Sequence, residues 1–288
     1  MPISGYKIFD FHVHIQPWRQ LKPKVLALWQ EHHPDFEHLL ELADDPKKFV
    51  ALLTEQGIDK ACLINYVSPE VMGFTEDVNE YISEYCSTFP DRLIPCGSLH
   101  PNFARDVAKK MNYLAEDLQI KMLKVHPPHQ LFFPNDYLNG NKALRIIYEK
   151  AEEHDIPVMF HTGTSIFPAA RVKFGDPLCL DDVAIDFPKL KIVLAHGGRP
   201  FWTESAFFLL RRHENIYLDI SSFPPQHLLK YFPKFEQIAH KTFFGSDWPG
   251  PGVPGMRQNA EKFLELPLSE AIKRQVLYEN ANKFFNLD

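Results

Sequence analysis

Eight short apolar runs, each followed by a stretch of helical period, limit the folds open to this chain more than any other feature. The runs are 6–14, 61–67, 92–99, 120–126, 156–161, 191–196, 215–221 and 241–247. The helical stretches are 38–56, 75–88, 103–118, 141–154, 178–187, 200–213, 225–238 and 257–265. Runs that are apolar on both faces suit strands covered by helices. Eight βα units in series predict an α/β fold, a (β/α)8 TIM barrel, rather than an open sheet. The 288 residues then form one domain, 1–288. A further helical stretch, 268–284, is an extra C-terminal helix, and the segment from Gln16 to about Asp45 is an enlarged first βα loop expected to fold over the barrel mouth.

Composition narrows the function. Net charge is −6 and no run of five basic residues occurs, so a nucleic-acid footprint is not expected. No apolar run approaches the ~20 residues of a membrane span, and no leader precedes the first strand, so the expected location is cytoplasmic. Cys62, Cys86, Cys96 and Cys179 show no CxxC spacing, which argues against a disulfide framework or a zinc–thiolate site.

Five polar residues close apolar runs. His12 and His14 end IFDFHVH, His161 ends IPVMFH, His196 ends KIVLAH and Asp247 ends KTFFGSD. Imidazole nitrogens and a carboxylate oxygen are ligands for a divalent transition metal. The carboxyl ends of barrel strands are where such enzymes place their chemistry. Residues two apart on a strand share a face, so His12 and His14 point together toward the axis, about 7 Å apart at the backbone. Asp10 shares that parity but lies deeper, in a packing or supporting role.

Lys124, in KMLKVH, faces the interior by the same parity. Three roles stay open for it: a carbamate bridging two metals, a cation for a substrate carboxylate, or a partner for an inward carboxylate such as Asp219. Tyr217 and Asp219 also face inward. Arg199 and Arg171 are loop arginines suited to an anion. Trp18, Phe132, Phe133 and Trp248 suggest a pocket for a flat or cyclic ligand. The GPGVPG at 250–255 matches a GxGxxG spelling, but its prolines remove donors a phosphate needs and no βαβ start surrounds it. No Gly-x-Ser-x-Gly elbow or paired cysteine nucleophile competes.

The pieces FHVH at 11–14, FHTG at 160–163, LAHGG at 194–198 and FGSDWP at 244–249, with the tail ENANKFF at 279–285, resemble the amidohydrolase superfamily. The branch they resemble includes aminocarboxymuconate-semialdehyde decarboxylase. The resemblance implies one divalent ion, zinc first and manganese, cobalt or iron next, held by His12, His14, His161 and Asp247. A second metal stays open. It implies His196 and Asp247 as the catalytic pair, with Lys124, Arg199, Trp18 and Trp248 near the substrate. It also implies a metal-dependent hydrolase of a small amide, lactone or ester, with non-oxidative decarboxylation of a small unsaturated or aromatic acid as the alternative. A barrel that binds metal and ligand without turnover is the third reading. The partner is a small-molecule substrate, with neither nucleic acid nor membrane expected, and a homodimer is the assembly common in that branch.

Overall fold

The computed structural model describes Ile3 and residues 5–287. Its eight strands are β1 (Phe9–Val13), β2 (Lys60–Ile64), β3 (Leu93–Gly97), β4 (Met122–Val125), β5 (Val158–His161), β6 (Ile192–Ala195), β7 (Ile216–Asp219) and β8 (Thr242–Phe243). All pair in parallel, in sequence order. Backbone bonds from Phe11 N to Phe244 O (2.8 Å) and from Asp247 N to His12 O (2.8 Å) join the last strand to the first. The fold is a (β/α)8 TIM barrel, as the alternation predicts.

Two hydrophobic layers follow from strand parity. Leu123, Val125, Val158, Phe160, Ile192, Leu194, Ile216 and Leu218 face the helices in the outer core. Phe9, Phe11, Cys62, Cys96, Met122, Met159, Val193 and Phe243 fill the interior. Phe284 and Phe285 of the C-terminal helical stretch plug the lower end. Phe284 packs on Phe243 with centroids 4.8 Å apart, and Phe285 stacks on Phe11 at 5.3 Å. Among the described residues no helix is long and apolar enough to cross a membrane.

Several expected elements change shape for local reasons. The predicted helix 38–56 is two helices, α2 (Phe36–Asp44) and α3 (Pro46–Gln56), preceded in the same loop by α1 (Pro23–His32). Asp45 caps α3 by accepting from Lys47 N at 2.9 Å, and Pro46 takes its first position, where a missing N–H costs nothing. The stretch 225–238, interrupted by Pro233, forms only short turns such as Leu228–Tyr231.

Candidate metal and substrate site

Parity alone would set His12 and His14 opposite Phe9 and Phe11, yet all four point into the barrel. A register irregularity between Asp10 and Val13 reconciles them. Asp10 serves that bulge: its Oδ1 accepts from His12 N at 3.3 Å and from Ser246 N at 2.8 Å. Burial pushes its carboxyl up to about 7. Its role is therefore to fix the backbone of β1 against the loop after β8. His196 and Asp247 are re-aimed differently. Each sits just past its strand with a left-handed backbone, φ +65° and +67°, a conformation that side-chain-bearing residues adopt at a cost.

The hydrogen bonds fix the ring tautomers. His12 Nδ1 lies 2.5 Å from Asp219 Oδ2, so that nitrogen carries the proton and Nε2 keeps its lone pair. His14 Nδ1 faces the Ile64 carbonyl at 3.2 Å, and His196 Nδ1 faces the Ser221 carbonyl at 3.1 Å, with the same consequence. Ser221 ties two of these rings together. Its Oγ donates to Asp219 Oδ2 (2.7 Å) and lies 3.0 Å from both His12 Nδ1 and His196 Nδ1.

Three bare acceptors therefore meet. His12 Nε2 and His14 Nε2 are 3.2 Å apart, and they stand 3.4 and 3.2 Å from Asp247 Oδ1. Burial and the nearby Lys124 hold His12 well below its usual range, so its Nε2 stays bare beside the Asp247 carboxylate. Acceptors this close with no proton between them repel, and a cation removes the repulsion. Ligand atoms of His12, His196 and Asp247 also lie within 4.8 Å of one another. This donor set suits a divalent ion.

His161 stands apart from that convergence. Its Nε2 is bonded to the Thr164 carbonyl at 3.0 Å, and its ring stacks on His126 with centroids 3.9 Å apart. His126 stacks in turn on His129 at 3.6 Å and 12°. In-plane lone pairs of such parallel rings run side by side, so the stack does not chelate. His129 is held at both ends, by the Tyr66 hydroxyl at 3.1 Å and Ser165 Oγ at 2.7 Å.

Above the cluster lies a cavity of about 150 Å³ lined by His14, Tyr66, Lys124, His126, His129, His161, Ser165, His196, Arg199 and Asp247, among others. Lys124 is 1 % exposed, and its hydrogen bond goes to Met159 Sδ at 3.4 Å. It makes no ion pair with Asp219 or any other carboxylate among the described residues, so the structural pairing, one of its three open roles, is absent. Burial lowers its ammonium to about 8, which leaves it mainly charged at neutral pH. Arg199 bonds Ser222 Oγ at 2.9 Å, its buried Nε has no partner, and it too lacks a carboxylate.

Other expected residues lie elsewhere. Trp18 is buried against Trp29, 4.7 Å between centroids, and Trp29 rather than Trp18 lines the cavity. Trp248 packs on Phe49 at 6.2 Å, outside the cavity, because the chain turns away after Asp247. Tyr217 faces the lower end, stacked on Phe243. Sequence reasoning missed Tyr66, His129, Ser165 and Ser221. Only Ser221 carried a signal, since it follows Tyr217 and Asp219 at a spacing of two.

The amidohydrolase profile matches residues 9–287. The chain belongs to the amidohydrolase family. No curated protein matches it. Among solved structures it is similar to an uncharacterised TIM-barrel protein from Bordetella bronchiseptica, with TM-score 0.75, 22% identity and coverage of 97% of this chain and 98% of that one. It is similar to 5-carboxyvanillate decarboxylase from Sphingomonas paucimobilis, with TM-score 0.70, 16% identity and coverage of 99% and 100%. It is also similar to dihydroxybenzoic acid decarboxylase from Polaromonas sp. JS666, with TM-score 0.68, 18% identity and coverage of 98% and 97%; that structure holds manganese and 2-nitroresorcinol. At these identities the likeness establishes the fold of this amidohydrolase.

Proposed function

We propose that this amidohydrolase is a metal-dependent non-oxidative decarboxylase of a small aromatic or unsaturated acid. One observation carries the reading: among the described residues, Lys124 and Arg199 line the cavity without carboxylate partners, while Asp247 is the sole carboxylate in its wall. With a divalent ion at His12, His14 and Asp247, the cavity is strongly positive and suited to an anion. Its volume supports a single ring, since cavities of about 150 Å³ take benzene. Structural relatives include decarboxylases of carboxyvanillate and dihydroxybenzoate, which favours this chemistry over the hydrolysis expected first from sequence.

The candidate ligands are His12, His14 and Asp247, with His161 as a fourth that must exchange its Thr164 bond for the ion. When bound, the ion would supply Lewis acidity to an oxygen-bearing anionic substrate. Manganese accompanies a bound ligand in three of the related structures. Lys124 and Arg199 hold the carboxylate. His196 is buried with its Nδ1 on the Ser221 carbonyl, which leaves a bare Nε2 facing the cavity. It accepts the proton of a substrate hydroxyl and returns it to the carbon whose bond to the carboxylate breaks. The bond's electron pair stays on that carbon, carbon dioxide leaves, and the oxygen retains the negative charge, so atoms and charge balance.

The test is a panel of hydroxybenzoates, lactones and amides given to manganese- and zinc-loaded protein, scored for carbon dioxide and for acid release. Carbon dioxide from a hydroxybenzoate, reduced at least a hundredfold in His196→Ala, is expected. Acid release from a lactone or amide without carbon dioxide would replace this reading with hydrolysis.

A further inference from the structure

A second concavity adjoins the first. About 710 Å³ in volume, it lies between the loops after β7 and β8 and shares Arg199, Ser222 and Pro251 with the catalytic cavity. Phe223 and Val253 and the prolines 224, 225 and 254 give it an apolar surface, with Gln258 and Lys262 at its polar edge. The Arg199 guanidinium stands at the junction, held by Ser222 Oγ and lying 6.0 Å from the Phe223 ring.

We propose that this groove is a subsite for an apolar extension of the substrate: the acid-bearing head occupies the 150 Å³ cavity, and a flat or branched hydrocarbon part passes Arg199 into the groove. The inference rests on the anionic-substrate reading above and specifies the substrate's second half. Three features carry it. The catalytic cavity holds little more than one ring, so a larger acid has to continue elsewhere. The groove adjoins that cavity, and Arg199, Ser222 and Pro251 line both. A guanidinium at the junction, lacking an acidic partner and backed by an aromatic ring, pairs with a carboxylate on one side while its stem and Phe223 offer apolar surface on the other. The prolines stiffen the walls, so little ordering of the two loops is needed on binding.

The experiment is calorimetric binding to the manganese-loaded protein of two acids, salicylate and its 5-phenyl derivative, in wild type and in Val253→Asp. Burying one face of an added phenyl ring predicts about tenfold or more tighter binding of the extended acid to wild type. In Val253→Asp that preference is lost. A second substitution, Pro225→Asp on the opposite wall, gives the same loss if Val253→Asp fails to fold. Equal binding of the two acids by wild type, or a preference that survives both substitutions, overturns the proposal. Binding separates this outcome from the reaction itself: a preference for the extended acid without carbon dioxide release sinks the decarboxylase reading and leaves the subsite standing. Decarboxylation of salicylates with no such preference does the reverse.

Discussion

Asp219→Asn changes one atom's chemistry and should disable a nitrogen on the other side of the His12 ring. In the native protein Asp219 Oδ1 accepts from Ser221 N at 2.8 Å, while Oδ2 accepts from His12 Nδ1 at 2.5 Å and from Ser221 Oγ at 2.7 Å. An asparagine that keeps its oxygen toward Ser221 N places its amide NH₂ against His12 Nδ1. Two donors then oppose each other, and the ring relieves the conflict by moving its proton to Nε2, the atom that faces His14 and Asp247. The flipped amide restores the His12 bond but sets NH₂ against Ser221 N, leaving a buried donor unsatisfied at about 1–3 kcal/mol. Either arrangement costs. Loss of the partner behind a ligating histidine typically lowers metal affinity about 10–100-fold, or about 1.4–2.8 kcal/mol. The assay is chelator competition for Mn²⁺ and Zn²⁺, together with ¹⁵N spectra of the histidine rings in the metal-free protein. Native affinity combined with a His12 ring still protonated at Nδ1 would refute the reasoning.

Three further outcomes are expected. Stripping the ion should lower the melting temperature, by an amount set by about 4 kcal/mol when the ion stands a thousandfold above its Kd, and adding it back should restore the value; a melting temperature indifferent to both contradicts the proposed site. Gly245→Ala should destabilise by about 1–3 kcal/mol in urea unfolding and weaken metal binding, because its Cβ would stand 2.5 Å from Asp219 Oδ1 and 2.8 Å from the His12 Cβ; native values for both would mean the loop after β8 yields more than these contacts allow. The metal-free protein should lose stability as pH falls below 6.5. Burial lowers His100 to about 4 and His129 and His196 to about 3, and holds His12, His126 and His161 well below their usual range, so the unfolded chain binds more protons. Asp10 and Asp219, raised by burial to about 7 and about 6, act in the opposite sense but are fewer. The net loss is about 1.4 kcal/mol per pH unit for each uncompensated histidine, and equal urea midpoints at pH 7 and pH 5 would contradict it.

The barrel was legible because alternation of strands and helices is a long-range periodic signal, and eight repetitions leave little freedom. Candidate ligands were legible where a polar side chain interrupts an apolar strand. Orientation was less so. His12 faces inward through a bulge that parity does not reveal, and His196 through a left-handed turn that one sequence does not announce. Lys124 was rightly placed in the interior, but its lack of a carboxylate depends on distances between strands. Trp18 and Trp29 were indistinguishable as loop aromatics. Which of them reaches the cavity depends on how α1 lies across the mouth, a tertiary property. Ser221 and His129 act through partners far away in sequence, and no local pattern marks such groups.

The join between β1 and β8 has a consequence for how the protein comes into being. His12 and His14 leave the ribosome well before Asp247, which follows them by more than two hundred residues. At about 5–20 residues per second, some tens of seconds separate them. During that interval the first strand has no eighth strand to bond and its two imidazoles have no carboxylate to share. An ion at the proposed site would thus be a late arrival, accepted once the final turn of the barrel has been made. Its retention would be a chemical record that the barrel had closed.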